Sequence, residues 1–270
     1  GARALTVAVS VDGPGGPEAS AREARIAALR EVALREGGPV LLGHTMEDQA
    51  ETVLLRLARG SGPSSLRAIA PIRRDEDGVT WLRPLLGLRR ADTAGACAQA
   101  ALTPLEDPTN AIDGPWRAAD GSALRRSAVR HSVIPALASA LGVDPVPALA
   151  RTAALCAADD DALSEWASGL LAVSCEASPA AGEGSLALVV SEVSGAPRAV
   201  RARALREVAS RAGIRLLSGV HVDALDDLIV AWRGQGPIPL PGGRATRVGR
   251  GTQARILFEA RSPEPTRDGG

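Results

Sequence analysis

Leu5, Val7, Val9 and Val11 alternate with Thr6, Ala8 and Ser10, a period of two that predicts a strand. Gly13-Pro14-Gly15-Gly16-Pro17 breaks that pattern. Pro17 suits a first helical turn and Glu18 favours a helix N-terminus, so a helix is expected to about Glu36, with Ile26, Leu29, Val32 and Ala33 on one stripe and Gly37-Gly38 as its stop. The short apolar run Pro39-Val40-Leu41-Leu42 predicts a strand buried on both faces, leading through Gly43-His44 into a helix from about Met46 to Ala58. Strand, helix, strand, helix is the order of an α/β layered domain with parallel pairing.

Farther along, residues 74–78 read as a hairpin-like turn, 79–82 as a strand and 90–101 as a helix. Residues 106–122, rich in Asp, Gly, Pro and Asn, read as loop. Helices are expected at 124–141 and 147–175, then a surface loop over 174–185 and a strand at 186–190. A helix at 197–212 has the stripe Val200, Ala204, Leu205, Val208 and Ala212, and another aligns Val220, Ala224, Leu225, Leu228, Ile229 and Trp232. Short strands at 237–240 and 256–258 close the pattern, with Pro241-Gly242-Gly243 as a turn, and the polar tail 261–270 is expected to be disordered.

Composition changes this picture little. The chain has 270 residues and a formal net charge of zero, so any nucleic-acid binding must come from local basic surface rather than from overall charge. All 31 basic residues are Arg, which fits a GC-rich coding bias. Cys97, Cys156 and Cys175 form no CxxC pair, which argues against a zinc site or a disulfide framework and suits a reducing, cytoplasmic setting. No apolar run approaches the ~18 residues of a membrane span. Met46 is the only Met and Gly1 is the first residue, so a fragment, a processed product or a trimmed form is expected.

Candidate chemistry concentrates in residues 41–62, LLGHTMEDQAETVLLRLARGSG. On a helix, Ala50, Val53, Leu54 and Leu57 share one face while Asp48, Glu51 and Thr52 lie on the opposite one. Two carboxylates at i, i+3 beyond a buried strand, with His44 at the entry, sit where open α/β sheets bind ligands. Such a pair can hold Mg²⁺ or a substrate ammonium, or it can simply cap the helix. Both readings stand. Arg59-Gly60-Ser61-Gly62 is either a glycine C-cap or a loop that brings backbone N–H groups to an anion. Arg125, Arg126 and Arg130 cluster on one helix, and Arg198, Arg201, Arg203, Arg206, Arg211 and Arg215 crowd another segment, as RNA phosphate contacts or as a solvated face. His221 and Trp232 read as packing residues and His131 as structural, while Trp116 and Arg117 either stack on a base or anchor their loop.

The run Gly43-His44, Glu47-Asp48-Gln49-Ala50-Glu51-Thr52 and Leu55-Arg56-Leu57-Ala58-Arg59-Gly60-Ser61-Gly62 resembles the central motif of the tRNA(Ile)-lysidine synthetases, within the PP-loop group of ATP pyrophosphatases. The likeness continues in order. Glu18-Ala19 and Ala21-Arg22-Glu23-Ala24-Arg25 precede the motif. Arg83-Pro84-Leu85-Leu86, Glu106-Asp107-Pro108-Thr109-Asn110, then Arg126, Val129-Arg130 and Val133-Ile134-Pro135 follow it. His221 and Leu240-Pro241-Gly242-Gly243 resemble the smaller domain more loosely. Ile26 and Ser127 depart from the family's usual Tyr and Asn, and the family's Ser-Gly-Gly-x-Asp-Ser loop has no counterpart in the 270 residues. The resemblance therefore implies that about 60–80 residues, two units at ~30 residues each, are missing ahead of Gly1.

The resemblance implies a parallel-sheet PP-loop ATP pyrophosphatase domain over 1–145, lacking its N-terminal β-α units, then a helical linker and a smaller α+β substrate-binding domain over 146–260. It implies ATP-dependent adenylation of the wobble cytidine in a CAU-anticodon isoleucine tRNA, followed by attack of L-lysine to give lysidine. Asp48 and Glu51 would hold Mg²⁺ or the cationic group of lysine, and His44 would contact nucleotide or orient an acid. Arg22 and Arg25 would offset charge near ATP or bind the lysine carboxylate, and Arg59 with Gly60 and Gly62 would meet phosphate. Arg125, Arg126, Arg130, Arg201 and Arg206 would contact the tRNA. The resemblance also allows a homodimer. Without the phosphate loop this chain alone is expected to be inactive. The alternatives are another PP-loop tRNA-modifying enzyme or a non-catalytic tRNA-binding homologue.

Overall fold

A computed structural model describes residues 3–11, 17–60, 62–105, 117, 124–178 and 184–261. The expectations for Gly13 to Gly16, Ser61, the 106–110 motif block, Trp116 and the tail beyond Arg261 lie outside the described residues, as does most of the 106–122 loop. The chain divides into two compact units, residues 1–158 and 159–270, with the boundary inside one long helix.

In the first unit, α1 (Pro17–Glu36) carries Ile26, Leu29 and Ala33 onto Val40, Val79 and the fully buried Trp81. It ends as expected, with Gly37 at φ +72° donating to the carbonyl of Ala33. Next come β1 (Val40–Leu41), α2 (Met46–Leu57), α3 (Pro63–Leu66), β2 (Ile72–Arg74) and β3 (Thr80–Leu82). The sheet order is β1-β3-β2, with β1 parallel to β3 and β2 antiparallel to it. The hairpin is thus as predicted; a parallel pair is present, but it joins β1 to β3 and not to the strand expected at 5–11.

Two sequence expectations are corrected here. Residues 3–11 form no strand, and Leu5, Val7, Val9 and Val11 are exposed, because an alternating pattern becomes a strand only when a neighbour satisfies its backbone N–H and C=O groups. The β1 strand is buried on one face only: Val40 is 7% exposed and Leu41 62%.

After β3 the chain forms α4 (Arg90–Gln99), α5 (Arg125–Ala128), a π turn (Val129–Val133) and α6 (Ile134–Leu141). Ile134 donates to the carbonyl of Val129, five residues back, just before Pro135, which has no N–H and whose ring crowds the preceding turn. Gly142 at φ +68° ends α6. Then α7 (Val146–Ser174) begins with Ala153 and Leu149 packed against Val53, Ala68 and Leu66 in the first unit.

In the second unit the elements are β4 (Cys175–Ala177), β5 (Leu186–Val189), α8 (Val190–Ser194), α9 (Arg198–Arg211), α10 (Gly219–Val230), β6 (Ile238–Leu240), β7 (Gly243–Val248) and β8 (Arg255–Ala260). The five strands form one antiparallel sheet, β4-β5-β8-β7-β6. Leu188, Ala245, Ile256 and Phe258 point from it into a core shared with Leu171, Leu205, Val208, Leu225 and Leu228. The predicted α9 stripe is buried throughout, whereas Val220 of the next predicted stripe is 77% exposed. The surface loop read at 174–185 is corrected in part, since Cys175–Ala177 pairs with β5. Strand β7 was read only as a turn at its start: Arg244, Thr246 and Arg247 hide its alternation, and pairing on both sides makes it a strand.

Candidate active site

The local geometry begins at Thr45, the buried residue ahead of α2. Its N–H donates to Asp48 Oδ2 at 2.8 Å, and its hydroxyl lies 2.9 Å from Glu47 Oε2 and 3.3 Å from Asp48 Oδ2. These acids therefore satisfy the helix start, the capping alternative that the sequence left open. Capping uses only one oxygen of Asp48. Its Oδ1 faces three guanidinium groups, Arg126 at 3.4 Å, Arg130 at 3.7 Å and Arg90 at 3.9 Å.

Glu51 lies one turn farther along, on the same side, and is fully buried. It accepts from Arg126 Nε at 2.8 Å, and from Arg130 Nε at 2.7 Å and Nη2 at 3.1 Å, with Arg90 Nη2 at 3.8 Å. Arg126 and Arg130 are four residues apart on the segment that widens into the π turn, so both reach one carboxylate. Burial would lower the Arg130 pKa, but the Glu51 hydrogen bond and the charges of Glu51, Asp48 and Glu47 together outweigh it and hold the group protonated above the ordinary arginine range.

Arg90 reaches the cluster because Glu47 fixes the start of α4. Glu47 accepts from the Arg90 N–H at 2.9 Å and from Arg89 Nε at 2.7 Å, while Arg89 also pairs with Asp144 and Met46 N–H donates to the carbonyl of Leu88. Burial alone would raise the Glu47 pKa, but donors from Arg89, Thr45 and Arg90 outweigh it and hold the group below the usual carboxylate range. Sequence reading assigned no role to Arg90 or to Glu47. The adjacent pair Arg89-Arg90 at a helix start was the available signal, and it does not show which acid the helix will meet.

His44 stands at the entry as expected, half-buried, with Nδ1 enclosed and without a partner among the described residues. Burial lowers its pKa; Asp48 opposes the shift, and the charges of Arg83, Arg126 and the exposed Arg22 of α1 add to it. Arg83 is another residue the sequence did not single out chemically: Nη1 donates to the carbonyl of Ala70 at 2.7 Å, while Nε is buried without an acceptor among the described residues.

Other expected site residues lie elsewhere or are otherwise engaged. Arg25 and Arg125 are exposed and form no ion pair among the described residues. Arg59 is exposed, and Gly60 at φ +68° donates its N–H to the carbonyl of Leu57, while Gly62 caps α3. That is the C-cap alternative, with the Gly60 N–H already committed. The expectation of Arg201 as a free phosphate contact is corrected: Asp226 binds it at 2.6 and 2.8 Å and both are largely buried. Arg206 is exposed and contacts only its own helix backbone.

The arrangement gathers three arginines around two carboxylates, one positive charge in excess, with Arg22 and Arg83 adding to the field at His44. An anion fits that field. A divalent cation does not fit the residues as they stand. Both oxygens of Glu51 are taken by arginine, and the remaining Asp48 oxygen looks onto guanidinium. Among the described residues no three His, Cys, Asp or Glu side chains gather as a metal-binding group. The expectation that Asp48 and Glu51 offer free oxygens to Mg²⁺ is therefore not met by this arrangement.

Comparison with known proteins places these features in a family. Residues 4–137 match the family model described as a PP-loop domain, and residues 188–252 match that of the TilS substrate binding domain. The tRNA(Ile)-lysidine synthase of Thermobifida fusca is 44% identical over 94% of this chain and 72% of its own length. The chain belongs to the tRNA(Ile)-lysidine synthase family. The members from Salinispora arenicola (46% identical over 89% of this chain and 68% of its own) and Leifsonia xyli (43%, 90% and 68%) agree. The acid–arginine cluster thus falls in the PP-loop match, and α8, α9, α10, β6 and β7 in the substrate-binding match. No single helix among the described residues is long and apolar enough to cross a membrane.

Proposed function

We propose that this chain serves the reaction its relatives are named for, in a form that also carries the Ser-Gly-Gly-x-Asp-Ser loop. The wobble cytidine of an isoleucine tRNA with a CAU anticodon is activated by ATP, with release of pyrophosphate. The amine of lysine then displaces AMP to give lysidine. The observation that carries the reading is the meeting of Asp48 and Glu51 from α2 with Arg90, Arg126 and Arg130 from two other segments beside His44.

In this reading the excess guanidinium charge, with Arg22 and Arg83, receives the phosphates of ATP and stabilises charge on the leaving pyrophosphate. Arg90 is the most exposed of the three clustered arginines and the most accessible to a ligand. Glu51 holds Arg126 and Arg130 in place. With the ATP phosphates offsetting the guanidinium charge, Asp48 Oδ1, whose nearest described guanidinium lies at 3.4 Å, is the oxygen to which the lysine ammonium docks. A nucleophilic amine must be neutral, and the half-buried His44, whose pKa burial lowers, is the ring to which that proton passes in this reading. The cytidine is drawn from the anticodon loop to reach this point. Mg²⁺ is proposed to accompany ATP on its phosphates, and no step here is assigned to it.

The 270 residues contain no Ser-Gly-Gly-x-Asp-Ser run, and no turnover is expected from them alone. The test therefore uses a version carrying that loop ahead of this chain, with labelled lysine, ATP and an isoleucine tRNA transcript. Asp48→Ala should abolish lysine incorporation while leaving the circular dichroism spectrum unchanged. Wild-type incorporation by that variant would remove Asp48 from the reaction.

A further inference from the structure

Most of the arginines expected to bind RNA in the second unit are neutralised from within. On α9, Arg198 pairs with Asp223, Arg201 with Asp226, Arg203 with Asp160, and Arg211 with Glu207. In the sheet, Arg244 pairs with Glu259 through two hydrogen bonds, and Arg255 lies 3.8 Å from Glu176. Among the described residues Arg233, Arg247 and Arg250 form no ion pair; Arg247 and Arg250 converge on one aromatic ring, and Arg233 follows that residue in the chain.

That ring is Trp232, which lies just beyond the end of α10 rather than on the helix stripe that the sequence suggested. The Arg247 guanidinium stands 4.8 Å from its centroid and that of Arg250 6.0 Å, and Arg233 is the next residue in the chain. Arg247 reaches across from β7 and donates Nη1 to the carbonyls of Leu228 and Ile229 at the C-terminal end of α10, where a cation is favoured. Arg250 is presented by a loop with one solution for its backbone. Gly249 has φ +72°, and a Cβ there would stand 2.6 Å from the carbonyl oxygen of Gln253, so only glycine holds this turn. Trp232 Nε1 and Arg247 Nε are both enclosed without an acceptor among the described residues. Among the described residues, two donors without acceptors and two guanidinium groups without acids at one indole are not explained by packing.

We infer that Trp232, Arg233, Arg247 and Arg250 form an RNA-docking platform. The exposed Arg233 and Arg250 take backbone phosphates, and a neighbouring base stacks on the Trp232–Arg247 pair. Alternation of a flat apolar surface with guanidinium groups matches the alternation of base and phosphate in unpaired RNA. The inference rests on the reading that this chain works on tRNA and names where the second unit holds it. Arg247 is left intact in the test because it also satisfies the carbonyls of α10.

The experiment measures binding of a fluorescent isoleucine tRNA transcript to the full chain across a series of salt concentrations. Arg233→Gln/Arg250→Gln should weaken binding about 10- to 100-fold and lower the slope of log affinity against log salt by about 2. Trp232→Leu should weaken it about 5- to 100-fold and leave that slope unchanged. Arg244→Gln/Arg255→Gln, the same charge change at two acid-paired positions elsewhere in this unit, should stay within about threefold. Thermal melting of each variant controls for folding. If the platform variants bind like the parent chain, or if the control pair loses as much, the platform is overturned while the ligase reading stands. Displacement of the RNA by polyglutamate as readily as by unlabelled tRNA also overturns it, in favour of an acidic protein partner. If the parent chain binds no tRNA at all, both readings fall together.

Discussion

Replacing Glu51 by Gln would remove one negative charge from a place that water does not reach. The carboxylate is fully buried and accepts three hydrogen bonds from two guanidinium groups, at 2.7, 2.8 and 3.1 Å. Removing one partner of a buried ion pair costs about 3–5 kcal/mol, because the remaining charge is left without its counterion. Arg126 and Arg130 keep 29% and 19% of their side-chain surface, so water relieves part of that cost, and Gln retains one acceptor oxygen. The expected loss for Glu51→Gln is therefore about 3 kcal/mol, near the lower end. It corresponds to roughly 150-fold in the folding equilibrium of the first unit. Urea unfolding followed by tryptophan emission, with the fully buried Trp81 reporting on that unit, reads the change. The triple replacement Glu51→Met, Arg126→Leu, Arg130→Met removes all three charges together and should recover most of the loss. A Glu51→Gln variant within about 0.5 kcal/mol of the parent, or a triple variant less stable than the single one, would refute the ion-pair account of this cluster.

Three further outcomes are expected. Burial lowers the His44 pKa from its ordinary 6.5, so the unfolded chain binds the proton more tightly than the folded one. The stability due to neutral His44 is present above pH 6.5 and declines as pH falls from there toward the lowered folded value; a titration of the imidazole resonances that gives 6.5 or higher contradicts this. Gly243→Ala would place a Cβ 2.4 Å from the carbonyl oxygen of Glu259 and 2.8 Å from Ile214 Cγ1, where β7 starts beside β8. It should cost about 1–3 kcal/mol, seen as a lower Tm of the second unit, and an unchanged Tm would show that the strands can part there. Asp226→Asn should leave the largely buried Arg201 without its counterion and destabilise the second unit by about 2–3 kcal/mol, measured by urea unfolding; an unchanged midpoint would mean that Arg201 finds water instead.

The sequence alone determined what local rules and motif order can carry. Helical periodicity placed α1, α2, α4 and α9 and the buried stripe of α9, and the order of blocks around Glu47 to Gly62 identified the family. It also placed Asp48 and Glu51 on one side of α2 with His44 at the entry, because 100° per residue fixes that relation before any packing occurs. Only tertiary structure decided which charges those acids would face. Arg90, Arg126 and Arg130 are 39 to 82 residues from Asp48 and Glu51 in the sequence, and no local rule pairs groups so far apart. The same holds for strands. Leu5 to Val11 has the alternation of a strand but no neighbour among the described residues, whereas the Arg-rich β7 lacks clear alternation and is paired on both sides. A strand is a property of at least two segments, and an ion pair of two side chains. Periodicity describes each segment alone, whereas the fold decides which ones meet.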